Sequence, residues 1–240
     1  MNQSTEDEET LLLPTRTDIS GLKILVKVPI PKWMDPKGFE HMTIDPKTYD
    51  ANYYRSSNYA DYLERADRYK KTANELIGLL RSLGIVQRDS FIMDYGCAVG
   101  FLLEGFKELG YTNVLGVEVS EWARQEARKR DNKVIETVNG MSLSPDLLVS
   151  LDVFEHMTDK EVSRVILETS PKAMLVRIPT STDGGKTFHL EVSRADPTHI
   201  NCKTKEQWID FFREFGYQTF LRLNLYTVYD TPGVTCLLIL

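Results

Sequence analysis

Apolar and polar positions follow two rhythms along this chain. From Asn58 onward, Tyr62, Ala66, Tyr69, Ala73, Leu76, Ile77 and Leu80 return at steps of three and four. That spacing predicts one face of an α-helix, which Gly84 can close. Short apolar runs then alternate with helical stretches. Strand 90–95 leads into a helix reaching Leu109 and Gly110, strand 113–118 into helix 121–130, and a short strand lies near Val134–Glu136. The run PDLLVSLD reads as another strand, after which Thr158 and Glu161 have capping-box spacing for a helix to about Thr169. Strand 173–178 precedes a long loop, 179–203. Thr204 with Gln207 caps the next helix, whose Trp208, Phe211, Phe212 and Phe215 form one apolar stripe that Gly216 ends. Two apolar strands, with Thr231–Pro232–Gly233 between them, close the chain. Such alternation predicts an α/β fold, a doubly wound parallel sheet covered on both faces. Ahead of it, residues 1–20 form an acidic lead, and residues 21–50 hold one short apolar alternation and four prolines, a pattern for extended segments.

Composition narrows the function classes. At 240 residues, 42% hydrophobic and 27% charged, the chain can bury one good-sized core. Its net charge of −6 lacks the basic surplus that binding to a nucleic-acid duplex calls for. Three cysteines (Cys97, Cys202, Cys236), with no CxxC pair, speak against a disulfide framework and for a reducing compartment. The start MNQSTEDEET is acidic and polar, unlike a secretory signal, and runs such as LLIL fall far short of the ~20 residues a membrane span needs. The expectation is a cytoplasmic protein without membrane or nucleic-acid partners.

The stretch FIMDYGCAVG places Asp94, Gly96, Cys97 and Gly100 where a buried strand gives way to a helix. In a doubly wound sheet, ligands bind at the carboxyl ends of the strands. The dinucleotide fingerprint G-x-G-x-x-G fails here, since Gly96 is followed by Ala98 and Phe101. An acid followed by x-G-x-G-x-G is met at three of four positions: Asp94, Gly96 and Gly100. Glycines there let backbone approach a ligand, and the helix N-terminus offers N–H donors. The next strand ends GVEVSEWA, with Glu118 twenty-two residues after Gly96. A carboxylate at that strand tip can accept both hydroxyls of a ribose.

From about Tyr53 to Leu240 the chain resembles the class I S-adenosylmethionine-dependent methyltransferases of the small-molecule type. DYGCAVG is similar to their first motif, with Ala98 in place of the middle glycine; GVEVSEWA is similar to the ribose motif, and LLVSLDVFEHM to the fourth-strand motif. The familiar F-D pair before that strand is replaced by Pro145–Asp146, and Asn139 and Gly140 stand near the adenine position. The resemblance implies a Rossmann-like, seven-stranded sheet with the last strand antiparallel, a lead over 1–52 and a methyltransferase domain over 53–240. It implies S-adenosylmethionine as cofactor, held by Asp94, Gly96, Cys97, Gly100, Glu118 and Asp152. The segment with Tyr53, Tyr54 and Tyr59 would fold over it.

Acid–base chemistry has few sources. Of the four histidines, His41, His156, His189 and His199, two fall at the active edge. His156 follows the fourth strand, and His199 lies in the loop after the fifth, where a small-molecule acceptor would arrive. An imidazole suits the role of general base for a hydroxyl, so His199 and His156 are the candidate catalytic residues, with His199 the first choice and the loop a candidate lid. Asp152, Glu155, His156 and His199 also suit a divalent cation and resemble the E-x-x-E-H clusters of ubiquinone-pathway and small-RNA 2′-O-methyltransferases, with Asp at the first position. No metal ligand is assigned from the sequence. The favoured reading is an O-directed methyltransferase of a small metabolite or sugar. The alternatives are a metal-assisted RNA-end methyltransferase and a methyltransferase-like binding protein without catalysis, against which the intact cofactor motifs argue.

Overall fold

A computed structural model describes residues 43–56, 59, 61–139, 141 and 143–240, with the backbone of 10–17 and 23–29. It divides into two units, Met1–His41 and Met42–Leu240. In the first, β1 (Thr10–Thr17) pairs antiparallel with β2 (Lys23–Pro29), Leu11 opposite Val28 and Leu13 opposite Val26. The expected lead therefore spans the first unit and the opening of the second, where Tyr49 and Tyr54 are already buried with Phe101 and Ala123.

The second unit is a seven-stranded sheet. In chain order its strands are β3 (Ile92–Tyr95), β4 (Val114–Val117), β5 (Val134–Ile135), β6 (Leu147–Leu151), β7 (Ala173–Pro179), β8 (Phe220–Arg222) and β9 (Val234–Ile239). They lie in the order β5-β4-β3-β6-β7-β9-β8, with the first five parallel. The last strand, β9, is antiparallel to both β7 and β8, as the resemblance implied. The central strands are buried along nearly their whole length, and because successive side chains point to opposite faces, the sheet has two apolar faces. Ile92, Leu147, Val149, Leu175 and Leu238 face α1 (Ala66–Ser82) and α2 (Phe101–Glu108). Met93, Leu148, Met174, Val176 and Leu237 face α4 (Asp159–Thr169) and α6 (Lys205–Arg213). Between these come α3 (Glu121–Lys129), after β4, and α5 (Glu191–Ala195), after β7. Both expected capping boxes are present, at Thr158–Glu161 and Thr204–Gln207.

Two expectations change. Asn58 lies outside the described residues, and the regular helix begins only at Ala66; Tyr53–Arg55 and Tyr62–Glu64 are single 3₁₀ turns. The cause is aromatic packing. Tyr53 meets Tyr54 at 5.4 Å and Tyr59 at 5.0 Å, and Tyr54 meets Tyr62 at 5.6 Å, contacts that gather the rings into a cluster instead of spacing them down one helix face. The long loop after β7 is also more ordered than its sequence suggests. It carries α5 and a Ser181–Phe188 bridge. Its far end is tied to the turn after β6, where Ile200 and Asn201 both donate backbone N–H to the Glu155 carbonyl at 2.9 Å.

Asn201 carries much of that tie. Its amide Nδ2 donates to the Met157 carbonyl at 2.8 Å and to Asp159 Oδ1 at 2.9 Å. Asn201→Ala leaves a buried carbonyl unpartnered and should lower the unfolding free energy by about 1–3 kcal/mol. Denaturant unfolding reads this directly, and an unchanged midpoint would show that the loop is not anchored there.

Candidate functional site

Strand order reverses beside β3, and the crevice opens at the carboxyl ends of β3, β4 and β6. The turn after β3 is held by its neighbour: the N–H groups of Gly96 and Cys97 donate to the Val117 carbonyl at 2.8 and 3.0 Å. Gly96 has φ +78°, and a Cβ there would stand 2.3 Å from Val153 Cγ2. Gly100, at φ +84°, precedes α2, and a Cβ there would stand 2.3 Å from Asn132 Nδ2. Ala98, in the place of the family's middle glycine, takes φ +46° as a non-glycine residue, and Asp152 takes φ +58° at the end of β6. Each such residue costs about 1–2 kcal/mol, strain that concentrates at working sites.

Glu118 joins the first two turns. Its Oε2 accepts the Ala98 N–H at 2.9 Å and its Oε1 the Ser120 N–H at 2.7 Å. Burial pushes this carboxyl upward, and those two N–H groups oppose the shift. Asp94 is equally buried, and no described residue donates a hydrogen bond to it. Burial, followed by repulsion from Glu118, pushes it up to about 7.

These groups line a cavity of about 330 Å³. Its outer wall is built of Tyr49, Tyr53, Tyr54, Tyr59, Tyr62 and Tyr69, with Trp122 packed on Tyr54 at 5.2 Å. Arg65, Arg68 and Arg177 add positive charge to the lining; Arg65 pairs with Asp61 and Arg177 with Asp152. The sequence candidates divide here. Asp94, Gly96, Cys97, Glu118, Asp152 and His156 line the cavity, whereas Gly100 shapes the turn behind it and His199 stands outside its wall. Cys97 contributes backbone, because its thiol turns into the core beside Gly116 and Leu103. Asn139 is exposed, outside the cavity wall, and Gly140 lies outside the described residues.

Beside the cavity lies a second cluster. One ligand atom each from Glu155, His156 and His199 lies within 4.8 Å of the others. Glu155 Oε1 is 4.0 Å from both His156 Nε2 and His199 Nε2, and His199 Nε2 is 3.8 Å from Asp196 Oδ2. The Glu155 carboxyl is wholly buried with neither oxygen hydrogen-bonded. Burial, then Asp152, pushes it far upward. Burial and His199 push His156 down to about 4, and burial also lowers His199. Asp152 is not in this group; its carboxylate pairs with Arg177 instead. Asp196, which the sequence places only among the mixed residues of the loop, joins the two histidines instead. Burial alone would raise it, but the Thr198 hydroxyl and N–H and the two histidines hold it below the usual carboxylate range. The signal was Asp-Pro-Thr-His at 196–199, an Asx-turn pattern in which Asp196 Oδ1 accepts the Thr198 N–H at 2.9 Å.

The upward shift of Asp94 has a thermodynamic consequence. Its ordinary value is 3.8 and its folded value about 7, so between these the unfolded chain releases a proton that the folded chain keeps. Stability of the ligand-free protein should therefore fall as pH rises through that window and stay low above it. Asp94→Asn should raise the thermal midpoint at about pH 8 and leave it unchanged near about pH 4. Parallel pH profiles for the two proteins would show that Asp94 is not held protonated.

Known proteins share this fold. The family model described as "Methyltransferase domain" matches residues 52–220. No curated protein matches the chain. Among solved structures, a magnesium protoporphyrin IX methyltransferase from Synechocystis PCC 6803 with bound S-adenosylmethionine is similar at TM-score 0.54 and 15% identity, over 82% of this chain and 97% of that one. An S-adenosylmethionine-dependent methyltransferase from Clostridium acetobutylicum ATCC 824 reaches TM-score 0.59 at 14% identity, over 78% and 98%. The methyltransferase domain of bacterial CtHen1 reaches 0.51 at 17% identity, over 72% and 98%. The structures share the fold, and the family model covers well over half of the chain. The chain belongs to the methyltransferase-domain family and is an S-adenosylmethionine-dependent methyltransferase of the Rossmann-like class I fold.

Proposed function

We propose that this enzyme methylates a hydroxyl group of a small acceptor, a metabolite or sugar, with Asp94, Gly96, Glu118 and the turn between them holding the cofactor and His156 taking the acceptor's proton. One observation carries the reading: a single tyrosine-walled cavity brings the two buried carboxylates and His156 together. The residues fit the cofactor. Asp94 and Glu118 are buried acceptors facing a ligand that carries an ammonium group and ribose hydroxyls. Gly96 lines the cavity, and since Val153 fills the place of a Cβ, only glycine lets the turn pass there. When bound, S-adenosylmethionine supplies a methyl carbon that passes from sulfur to the acceptor oxygen, with the electron pair staying on sulfur. His156 Nε2 takes the proton that the oxygen loses, and the buried tyrosines exclude water and orient the acceptor. Burial keeps His156 neutral at pH 7 and able to accept.

A second reading adds a divalent cation at Glu155, His156 and His199. The wholly buried, unpartnered Glu155 carboxyl favours it, since such a group is otherwise costly. A cation there would supply positive charge beside the acceptor oxygen. An RNA-end acceptor would further require free basic groups near the loop. Arg194 donates instead to the Phe188 and His189 carbonyls, Lys203 pairs with Asp159, and Lys205 pairs with Asp230. With the net charge of −6, this supports a small acceptor over nucleic acid. No described helix is long and apolar enough to cross a membrane. Cys97, Cys202 and Cys236 are all unpaired, which supports a reducing, cytoplasmic setting.

Glu118→Gln should weaken S-adenosylhomocysteine binding by about 1.5–3 kcal/mol through loss of charge-assisted bonds. Unchanged affinity in calorimetry would remove Glu118 from the ribose. His156→Ala should leave that affinity nearly intact and slow methyl transfer by ~10²–10⁴-fold; full turnover in a screen against pooled metabolites and sugars would refute the base assignment. Chelation separates the two readings. Turnover indifferent to EDTA leaves His156 as the base, whereas activity lost with EDTA and restored by Mg²⁺ or Mn²⁺ establishes the cation.

A further inference from the structure

Three side chains from two distant parts of the chain form a hydrogen-bonded line behind the cavity. Thr198 Oγ1 lies 2.5 Å from Asp196 Oδ1 and 2.8 Å from His156 Nδ1. Among the described residues, the hydrogen bonds to the Asp196 carboxylate come from the Thr198 hydroxyl, the Thr198 N–H at 2.9 Å and the Tyr53 hydroxyl at 3.2 Å from Oδ2, with His199 Nε2 at 3.8 Å from Oδ2. Asp196 and Thr198 are both buried, so no water competes for the hydroxyl.

A hydroxyl has one proton to give. With that proton directed to Asp196, Thr198 Oγ1 meets the imidazole as an acceptor, and the ring proton must then sit on His156 Nδ1. The lone pair of the neutral ring is left on Nε2, the nitrogen Thr198 does not engage. A ring with the opposite tautomer would present an N–H to the acceptor and could not take its proton.

We infer that Asp196 and Thr198 are positioning residues that hold His156 in its Nδ1–H tautomer, orient the ring, and so keep Nε2 free to accept the substrate's proton. Tyr53 belongs to the same device. Its hydroxyl reaches Asp196 on one side and Tyr59 on the other at 3.2 Å, and its ring lines the cavity. The tyrosine flap is thereby wired to the carboxylate that sets the tautomer. The inference rests on the proposed role of His156, but the tautomer is measurable without any substrate.

The test is nitrogen NMR of histidine-labelled, chelator-treated protein near neutral pH. The chain has only four histidines, and the His156→Gln spectrum identifies the resonances of interest. Wild type should show His156 with a protonated Nδ1 and an unprotonated Nε2. Thr198→Val, which keeps the shape and removes the hydroxyl, should lose that pattern, and Thr198→Ser should keep it. Asp196→Asn can turn an amide N–H toward Thr198 and reverse the line, so His156 should move to its Nε2–H form. Retained S-adenosylhomocysteine affinity in each variant separates this from general unfolding. A wild-type His156 with a proton on Nε2, or an unaltered pattern in both Thr198→Val and Asp196→Asn, overturns the inference. Neither result touches the methyltransferase reading. Conversely, full activity in His156→Ala would sink the base assignment and leave the tautomer result standing.

Discussion

The Glu118 carboxylate is the contact on which the site depends. It sits at the tip of the second strand of the sheet's parallel half and accepts N–H groups from two turns at once, Ala98 after β3 and Ser120 before α3. Ser120 extends the connection: its hydroxyl caps α3 through the Ala123 N–H and donates to the Tyr49 carbonyl. One buried carboxyl thus fixes the turn after β3, the start of a helix and the first tyrosine of the cavity wall. Each oxygen spends one lone pair on the backbone, and the other remains for a ligand.

The site is built from groups that destabilise the empty protein. Asp94, Glu118 and Glu155 are all buried and all pushed upward, and Ala98 and Asp152 hold left-handed backbone. Such features persist only when the surroundings over-determine them. Here the surroundings are the two apolar faces of the sheet, with Trp208, Phe154 and Phe212 among the largest fully buried side chains on one and Phe106, Leu76 and Leu80 on the other. The aromatic stripe of α6 meets Phe154, the residue before Glu155 and His156, with Phe212 at 6.3 Å, and so braces the turn that carries them.

Much of this was readable in one dimension because it depends on local periodicity. The alternation of apolar runs located every strand of the sheet, and the capping pairs Thr158–Glu161 and Thr204–Gln207 marked where two helices begin. That Asp94, Gly96 and Glu118 would meet at one cavity was legible because their spacing follows from one strand–turn–helix unit and the strand beside it. The tyrosine segment was not. Its residues recur near helical spacing, but their rings found a better partner in one another than in a helix face, and the chain broke into 3₁₀ turns to gather them.

The amino-acid sequence by itself determined the strand and helix pattern, the sheet class and the glycine-bearing turn after β3, all set by contacts between residues close in the chain or by the period of apolar positions. Only the tertiary structure decided which histidine meets the cavity. The sequence put His199 ahead of His156 as the base, and their rings lie 4.6 Å apart, but His156, bonded to Thr198 42 residues away, lines the cavity, while His199 packs outside its wall against Phe188. The tertiary structure likewise took Asp152 from the acidic cluster by pairing it with Arg177 of the neighbouring strand, and brought in Asp196. A side chain's partner across a fold is set by strand order and loop path, which no local pattern records.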